Sequence, residues 1–423
     1  MEVTNKDRIR AVYAGSAGII LEWFDYGIYG TFAPIIASIF FPSKDPMVGM
    51  ILTLMVFGVG FLSRPIGSMV FGHVGDKYGR KISLAWTIYI MAGSTFIIGL
   101  IPSFEKIGVL APIILVCCRL SQGLSAGGEW GGATAFLVEY ATKGRRGFYG
   151  SFQQNLAVVG LTVGTLVGYV MTSSLNKTDL YAWGWRAPFI FGIVLGYIGW
   201  YIRTKVNDTP SFIQMEESHE IQSNPLVASV KTNFKGIIQG MGLSVGWNAA
   251  FYMVMTFMSN YINTILKIPL HLSLLTSMFS FALLIVLMPI MGHISDKIGR
   301  KPVLFTSCFG FLLLSYPLFQ FIADGVFWKI LVAQFVLAVL QAMYSGTAVA
   351  FIAEIFTTQV RTSSLVGYNI MAALAGGMAP FFAMSLVRMT GNNSSPAFYL
   401  MGAIVVSIIT IASLPESYDK PLK

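Results

Sequence analysis

Two carboxylates, Glu22 and Asp25, stand three residues apart inside a long apolar stretch that covers residues 11–41. In a helix this spacing places both acids on neighbouring turns of one face. A charged side chain inside a membrane-spanning helix is costly, so such residues are candidates for function. Two like charges in a low dielectric favour proton binding by one of them. The pair is therefore predicted to carry a coupled proton; the alternative is a permanent pairing that only holds helices together.

Arg119 is the deepest cation of a second apolar stretch, residues 108–140. It is predicted to pair with Glu22 or Asp25, and its planar guanidinium also suits a substrate carboxylate. Gln122, three residues further along, is assigned to the same substrate site. The alternative for Arg119 is a purely structural salt bridge.

The second half of the chain offers aromatic and amide side chains, and no clear charge, at the same depth. The predicted substrate contacts there are Trp247, Asn248, Tyr252, Gln341 and Tyr344. Aromatic faces attract alkylammonium groups by cation–π interaction, although plain packing is the alternative for such residues. One deep arginine opposite aromatic rings favours a compact zwitterion over a tricarboxylate, which needs more than one cation.

The composition indicates that these residues lie in a membrane protein. Of 423 residues, 55% are hydrophobic and 11% are charged, whereas soluble domains carry about 25% charged residues. A span needs about 20 mainly apolar residues, so the fold class is all-α with twelve transmembrane helices. The spans are predicted near residues 11–41, 47–72, 82–102, 108–140, 147–175, 186–203, 235–262, 272–292, 302–323, 327–356, 364–390 and 396–414.

Lysine and arginine indicate the orientation of the chain. Cytoplasmic loops of membrane proteins are enriched in both residues, so the net charge of +9 is attributed to such loops rather than to nucleic-acid binding. If both termini lie in the cytoplasm, most of the 28 lysines and arginines fall in cytoplasmic segments. The predicted location is the plasma membrane, the inner membrane of a bacterium, with several passes.

An internal repeat divides the chain into two halves. Residues 72–81 and 292–301 both begin with Gly-His and end with Asp-Lys-x-Gly-Arg-Lys. Halves with the same order and orientation are parallel repeats about an axis along the membrane normal. The predicted domains are a six-helix bundle at 1–203, a cytoplasmic linker at 204–234 and a second six-helix bundle at 235–423.

Charged residues at the predicted cytoplasmic helix ends suggest a gate. A bridge from Arg80 to Glu139, and its repeat equivalent from Arg300 to Glu354, are predicted to break and re-form as the halves move. A constant role in ending helices is the alternative. Arg64, which precedes a proline near the cytoplasmic end of its span, is assigned to gating rather than to substrate binding. The full predicted gate comprises Arg64, Asp76, Arg80, Glu129, Glu139, Asp296, Arg300, Glu354 and Arg361. For Glu129, helix packing and proton coupling are open alternatives.

The Asp-Lys-x-Gly-Arg-Lys loops resemble the signature loops of the major facilitator superfamily. Three further stretches resemble its metabolite:proton symporter group, namely Leu21-Glu22-Trp23-Phe24-Asp25-Tyr26, Arg64-Pro65-Ile66-Gly67, and Arg119-x-x-Gln122-Gly123 with the glycine-rich residues 127–132. This group includes carriers of proline and betaine, α-ketoglutarate, citrate and shikimate. The resemblance implies two six-helix bundles, alternating access and proton-coupled symport of a small carboxylate-bearing metabolite. It also associates the Arg119 position with proton coupling.

The sequence lacks the motifs typical of ATP-driven transport and of metal binding. It has no Gly-x-x-x-x-Gly-Lys-[Ser/Thr] loop for ATP, and Cys117, Cys118 and Cys308 lack metal-ligand spacing. The expected partners are a small-molecule substrate, a proton (sodium is left open) and the lipid bilayer, with no nucleic acid, cofactor or metal. A monomeric transporter, not an enzyme, is expected. The rival interpretations are a multidrug/proton antiporter and a transporter-like receptor that binds without translocating.

Overall fold

The computed structural model describes residues 5–78, 80–128, 144–204, 225–356 and 366–420, together with the single residues 130, 134, 138 and 141. Throughout these ranges the regular structure is helical and contains no strand. Described helices occur at all twelve predicted span positions, and eight helical segments are long and apolar enough to cross a membrane. Helices suit a bilayer because they satisfy their own backbone polar groups.

The first half consists of six spans. The first span is two consecutive helices, Asn5–Thr31 and Ala33–Phe40, and the second is also two, Pro46–Leu62 and Arg64–Tyr78. The third to sixth spans are Arg80–Leu100, Leu110–Gly127, Arg146–Ser174 and Arg186–Thr204. Shorter helical turns are Phe104–Ile107, Lys177–Asp179 and Leu180–Gly184.

The second half repeats this plan, with π-helical stretches in two spans. The seventh span comprises Pro225–Tyr252, the π-helical Met253–Phe257 and Met258–Thr264. The eighth, ninth and tenth are Leu270–Ile298, Arg300–Phe321 and Phe327–Ile355. The eleventh comprises Val366–Met371, the π-helical Ala372–Gly377 and Ala379–Thr390, and the twelfth is Pro396–Ser413. Because the seventh span starts at Pro225, the end of the predicted 204–234 linker is helical, while residues 205–224 lie outside the described residues.

Glycines let the spans around the first span approach closely. A Cβ atom on Gly123 would lie 1.6 Å from the Gly60 carbonyl oxygen, so the second and fourth spans touch backbone to backbone. A Cβ atom on Gly164 of the fifth span would lie 2.8 Å from the Phe24 carbonyl oxygen. Small residues at crossings are typical of membrane helices, which pack without a hydrophobic driving force. These crossings hold the second, fourth and fifth spans in place around the acids of the first.

The two halves touch at both ends of the spans. At the predicted cytoplasmic end, a Cβ atom on Gly292 of the eighth span would lie 2.5 Å from the Gly147 carbonyl oxygen of the fifth. At the opposite end, the Asn260 side-chain amide donates to the Gly30 carbonyl oxygen at 3.2 Å. Glu22, Asp25 and their partners, which lie between these two contacts, are buried. The described residues therefore hold the two halves in contact both above and below the buried acids.

Candidate functional site

A buried ion pair joins Asp25 on the first span to Arg119 on the fourth. Nη1 of Arg119 lies 2.8 Å from Oδ2 of Asp25. Thr95 of the third span and Gln122 of the fourth both donate to Oδ1 of Asp25, at 2.6 and 2.8 Å. The guanidinium of Arg119 lies 4.1 Å from the centre of the Tyr29 ring. A buried charge pair is tolerated only when further hydrogen bonds satisfy it, and Asp25 has two such partners in Thr95 and Gln122.

A second buried ion pair joins Glu22 to Arg64, whose Nη2 donates to Oε1 of the acid. Arg64 is 1% exposed, and its guanidinium lies 4.4 Å from the centre of the Phe61 ring. The sequence predicted that Arg119 pairs with Glu22 or Asp25 and gave the other acid no arginine, whereas the structure gives each acid its own. The sequence signal at this place is Pro65, because a proline removes a backbone donor and interrupts a helix, and the structure breaks the second span at Ser63, just before Arg64.

Aromatic residues from both halves surround the Glu22–Arg64 pair. Trp23 lies 5.3 Å from Phe251 and 6.0 Å from Tyr252 between ring centres, and Phe61 lies 5.1 Å from Tyr252. The interface cluster, as we call this group, comprises Trp23, Tyr26, Phe61, Trp130, Trp247, Phe251, Tyr252 and Tyr368. The Glu22 carboxylate, the Arg64 guanidinium and these aromatic rings therefore share one buried region.

Three aromatic rings of the interface cluster contact one another. Trp130 stacks on Tyr368 with 3.5 Å between ring centres, and Trp247 lies 5.1 Å from Tyr368. The side chains of Tyr252 and Tyr368 are both within electrostatic range of Arg64 and Glu22. Of these residues, sequence reasoning had selected Trp247 and Tyr252 but not Trp130 or Tyr368. The signal for Trp130 was its position between the paired glycines of residues 127–132.

The predicted amide contacts divide into two groups. Gln341 donates to the Ser345 hydroxyl at 2.8 Å, and Trp247 donates to the same oxygen at 2.9 Å, so Gln341 supports the interface cluster. Asn248 instead donates to the carbonyl oxygen of Ser244 in its own helix at 2.9 Å. Among the described residues, buried oxygens of Gln341 and Asn369 and the Trp130 indole nitrogen have no hydrogen-bond partner. Buried polar atoms of this kind call for a ligand or water.

Tyr344 lies away from the interface cluster. Its hydroxyl donates to the Leu243 carbonyl oxygen at 3.0 Å, and Ser407 of the twelfth span reaches the same oxygen. The hydroxyl therefore joins the seventh, tenth and twelfth spans within the second half. This geometry favours the packing alternative for Tyr344 over the predicted substrate contact.

The predicted cytoplasmic gate contains a network around Glu354. Arg300 lies 3.1 Å from Glu354, as the sequence predicted, and Arg146 of the first half lies 3.3 Å from the same acid. Asp296 pairs with Arg300 at 2.8 Å and accepts hydrogen bonds from the backbone nitrogens of residues 147 and 148. Sequence reasoning missed the link from Arg146 to Glu354 because the internal repeat relates equivalent residues, not residues in contact. The described part of the chain does not include Glu129, Glu139 or Arg361. It also does not include the side chains of Asp76 and Arg80.

Neutralising Glu354 should open the cytoplasmic side. Glu354→Gln removes one charge shared by Arg146 and Arg300, and breaking a buried pair costs about 3 kcal/mol. We expect the inward-open population to rise at least about tenfold. The measurement is maleimide labelling of a cysteine at Ser151, which is fully buried on the fifth span, in a chain whose native cysteines are replaced by serine. Asp324→Asn, at the exposed Lys329 pair, is the control. Equal labelling of Glu354→Gln and this control would leave only a structural role for Glu354.

Comparison with known proteins agrees with this architecture. Two similar helical halves with buried ion pairs are typical of membrane transporters, and the named relatives are transporters rather than enzymes. The sequence profile described as "Sugar (and other) transporter" matches residues 11–238, and that of the "Major Facilitator Superfamily" matches residues 243–422. The chain belongs to the major facilitator superfamily, as the resemblance of its loops had indicated.

Relatives with assigned names are similar along nearly the whole chain. The "Proline/betaine transporter" of Escherichia coli (strain K12) is 36% identical, with 98% of this chain and 85% of that protein covered. The "Citrate-proton symporter" of Klebsiella pneumoniae is 32% identical, with 96% and 92% covered. Among solved structures, the proton:xylose symporter XylE bound to 6-bromo-6-deoxy-D-glucose matches with a TM-score of 0.79 at 16% identity, covering 99% of this chain and 98% of that one. The last match concerns the fold alone.

Proposed function

We propose that the protein is a proton-coupled symporter that imports a small zwitterion of the proline or betaine type. The observation that carries the proposal is the Glu22–Arg64 pair inside an aromatic cluster built from both halves. A guanidinium fork suits a carboxylate, and aromatic faces suit an alkylammonium group. The named relatives support the same substrate class, since several are proline/betaine transporters.

In the proposed cycle, the two ion pairs have different tasks. The substrate carboxylate displaces Glu22 from Arg64, and the substrate cation lies against the interface cluster. Asp25 holds the coupled proton, because it is sealed inside the first half at 1% exposure. Protonation removes the charge that Arg119 pairs with and thereby loosens the fourth span from the first. Each bound species thus changes the affinity for the other, and this coupling is reciprocal.

Citrate is the second candidate, because citrate–proton symporters are also among the relatives. A tricarboxylate needs several cations at one site. Arg64 lies over three rings of the interface cluster. Among the described rings of that cluster, Arg119 reaches only Tyr26, at 5.1 Å, and is itself paired with Asp25. The geometry therefore favours a zwitterion.

The proposal also covers the location of the protein, its oligomeric state and its coupled ion. We propose location in the plasma membrane of a bacterium with both termini in the cytoplasm, which the distribution of lysine and arginine supports. Function as a monomer is proposed, with residues 1–203 and 235–423 as the two moving bodies. A proton rather than sodium is proposed as the coupled ion. Each acid is paired with an arginine that favours its ionised form, and a buried carboxylate that loses this pairing gains affinity for H⁺.

Uptake into proteoliposomes tests the proposed function. An inward proton gradient should drive accumulation of labelled proline or glycine betaine, and an inward sodium gradient at constant pH should not. Excess unlabelled betaine should compete, whereas citrate should not. Binding without uptake would indicate a receptor, and proton-driven efflux of hydrophobic cations would indicate a drug antiporter. Either result, or proton-driven uptake of citrate alone, contradicts the proposal.

A further inference from the structure

A cavity lies on the side of Glu22 and Asp25 that is remote from the interface cluster. It is bounded by the first, third, fourth and sixth spans and offers about 30 Å³ to the centres of water molecules. One water needs roughly 10–15 Å³ by this measure, so there is room for about two. Its lining includes both acids together with the hydroxyl residues Thr95 and Ser125.

We infer that Glu22 and Asp25 exchange the coupled proton through water held in this cavity. The inference rests on the proposed function, and it supplies the link between the two ion pairs that the proposed cycle requires. Waters persist in buried sites when two to four polar groups bind them. Glu22, Asp25, Thr95 and Ser125 line the cavity. The Thr95 and Ser125 hydroxyls donate to Asp25 and to the Thr87 carbonyl oxygen, so they serve water as acceptors beside the two carboxylates.

The charged groups around the acids leave this side free for water. Arg64 on the second span faces Glu22, and Arg119 on the fourth faces Asp25, yet neither arginine lines the cavity. The first span itself adds Tyr26 near Arg64 and Tyr29 near Arg119. The described lining residues of the third and sixth spans carry no titratable group. Each acid therefore has its arginine as one neighbour and the cavity as another.

The transfer conserves protons at each step. A substrate carboxylate that binds Arg64 weakens the pairing of Arg64 with Glu22, so the proton affinity of Glu22 rises and Glu22 binds a proton from the side of the interface cluster. The Glu22 carboxylic acid then gives its proton to the first water, the first water gives one of its own protons to the second, and the second gives one to Asp25. Both waters end neutral, Glu22 is again a carboxylate and Asp25 is a carboxylic acid. The restored negative charge of Glu22 then faces the substrate cation.

Small residues keep this space open. Ala92 of the third span and Gly192 and Gly196 of the sixth line the cavity. A Cβ atom on Gly196 would lie 2.2 Å from the Cβ atom of Ala92, and one on Gly192 would lie 2.8 Å from Thr95. A larger side chain at Ala92 must therefore occupy the cavity, since the sixth span leaves it no other room. Gly93, the next residue, offers a matched control because a Cβ atom there meets nothing within 4 Å.

Filling the cavity should separate substrate exchange from proton coupling. In Ala92→Leu we expect proton-driven accumulation of betaine to fall at least about tenfold, while counterflow exchange stays within about twofold of the unmodified protein, because exchange needs no transfer to Asp25. Gly93→Leu should retain both activities. Normal accumulation by Ala92→Leu overturns the relay and leaves the proposed function intact. Absence of betaine uptake by the unmodified protein instead overturns the proposed function.

A second measurement tests the proton relay if the Ala92→Leu variant does not fold. Saturating betaine added to lightly buffered purified protein should cause uptake of about one proton per molecule, recorded with a pH indicator. The relay predicts no uptake by Glu22→Gln, although Asp25 is intact in that variant. Proton uptake by Glu22→Gln equal to that of the unmodified protein would mean that Asp25 has its own route to water, and the relay would be wrong.

Discussion

Replacement of Arg64 by alanine should weaken zwitterion binding at least about 30-fold, because loss of one partner of a buried charge contact costs 2 kcal/mol or more. The Arg64 guanidinium contacts Phe61, Tyr26 and Trp23 of the interface cluster. Arg64→Lys retains the charge but loses the planar fork, so intermediate binding is expected. Isothermal titration of purified protein with betaine or proline measures both effects.

Loss of Arg64 also leaves Glu22 buried without its cation, so stability must be separated from binding. The double variant Arg64→Ala with Glu22→Gln removes both charges and should recover much of the thermal stability lost by Arg64→Ala. The double variant should not recover zwitterion binding, since it has no guanidinium at position 64 to bind the substrate carboxylate. Arg119→Lys is the comparison that decides between the two arginines. Normal binding by Arg64→Ala together with loss of binding by Arg119→Lys would return the substrate carboxylate to Arg119, where sequence reasoning had assigned it.

Replacement of Asp25 by asparagine should abolish uphill transport and leave downhill exchange. Asparagine keeps the shape of the acid, and its side-chain oxygen can still accept the bonds from Thr95 and Gln122 that the acid accepts at 2.6 and 2.8 Å. The variant mimics the protonated state and can neither bind nor release the coupled proton. Counterflow should stay within about threefold of the unmodified protein, while the steady-state accumulation ratio falls to about one.

The control for Asp25→Asn is Asp45→Asn, which removes an equal charge from the exposed Arg388 pair. This variant should accumulate substrate normally, because exposed ion pairs contribute little. Glu22→Gln should also lose accumulation, but with weaker binding, since Glu22 faces the substrate site. Accumulation by Asp25→Asn at the normal ratio would exclude Asp25 as the proton carrier, and normal accumulation by both acid variants would make Glu129 the next candidate.

The sequence was sufficient for the fold and for the candidates. Membrane spans are readable because each needs a long apolar run, and the repeated Asp-Lys-x-Gly-Arg-Lys loops show two parallel halves. Buried charges are rare in such runs, so Glu22, Asp25 and Arg119 were identifiable by depth alone. The contact between Arg300 and Glu354 was predicted from the opposite charges at the cytoplasmic helix ends of each half.

Only the tertiary structure decided which of these residues meet. Helical periodicity gives the face of a residue within its own helix, but the rotation and tilt of neighbouring helices depend on contacts such as Gly123 against Gly60. The sequence therefore left Arg119 with two possible acids, whereas packing joins Arg119 to Asp25 and Arg64 to Glu22. Tyr344 shows the same limit. Its position on the tenth span was readable, but its direction toward Leu243 instead of the interface cluster was set by how the seventh and twelfth spans pack against that helix.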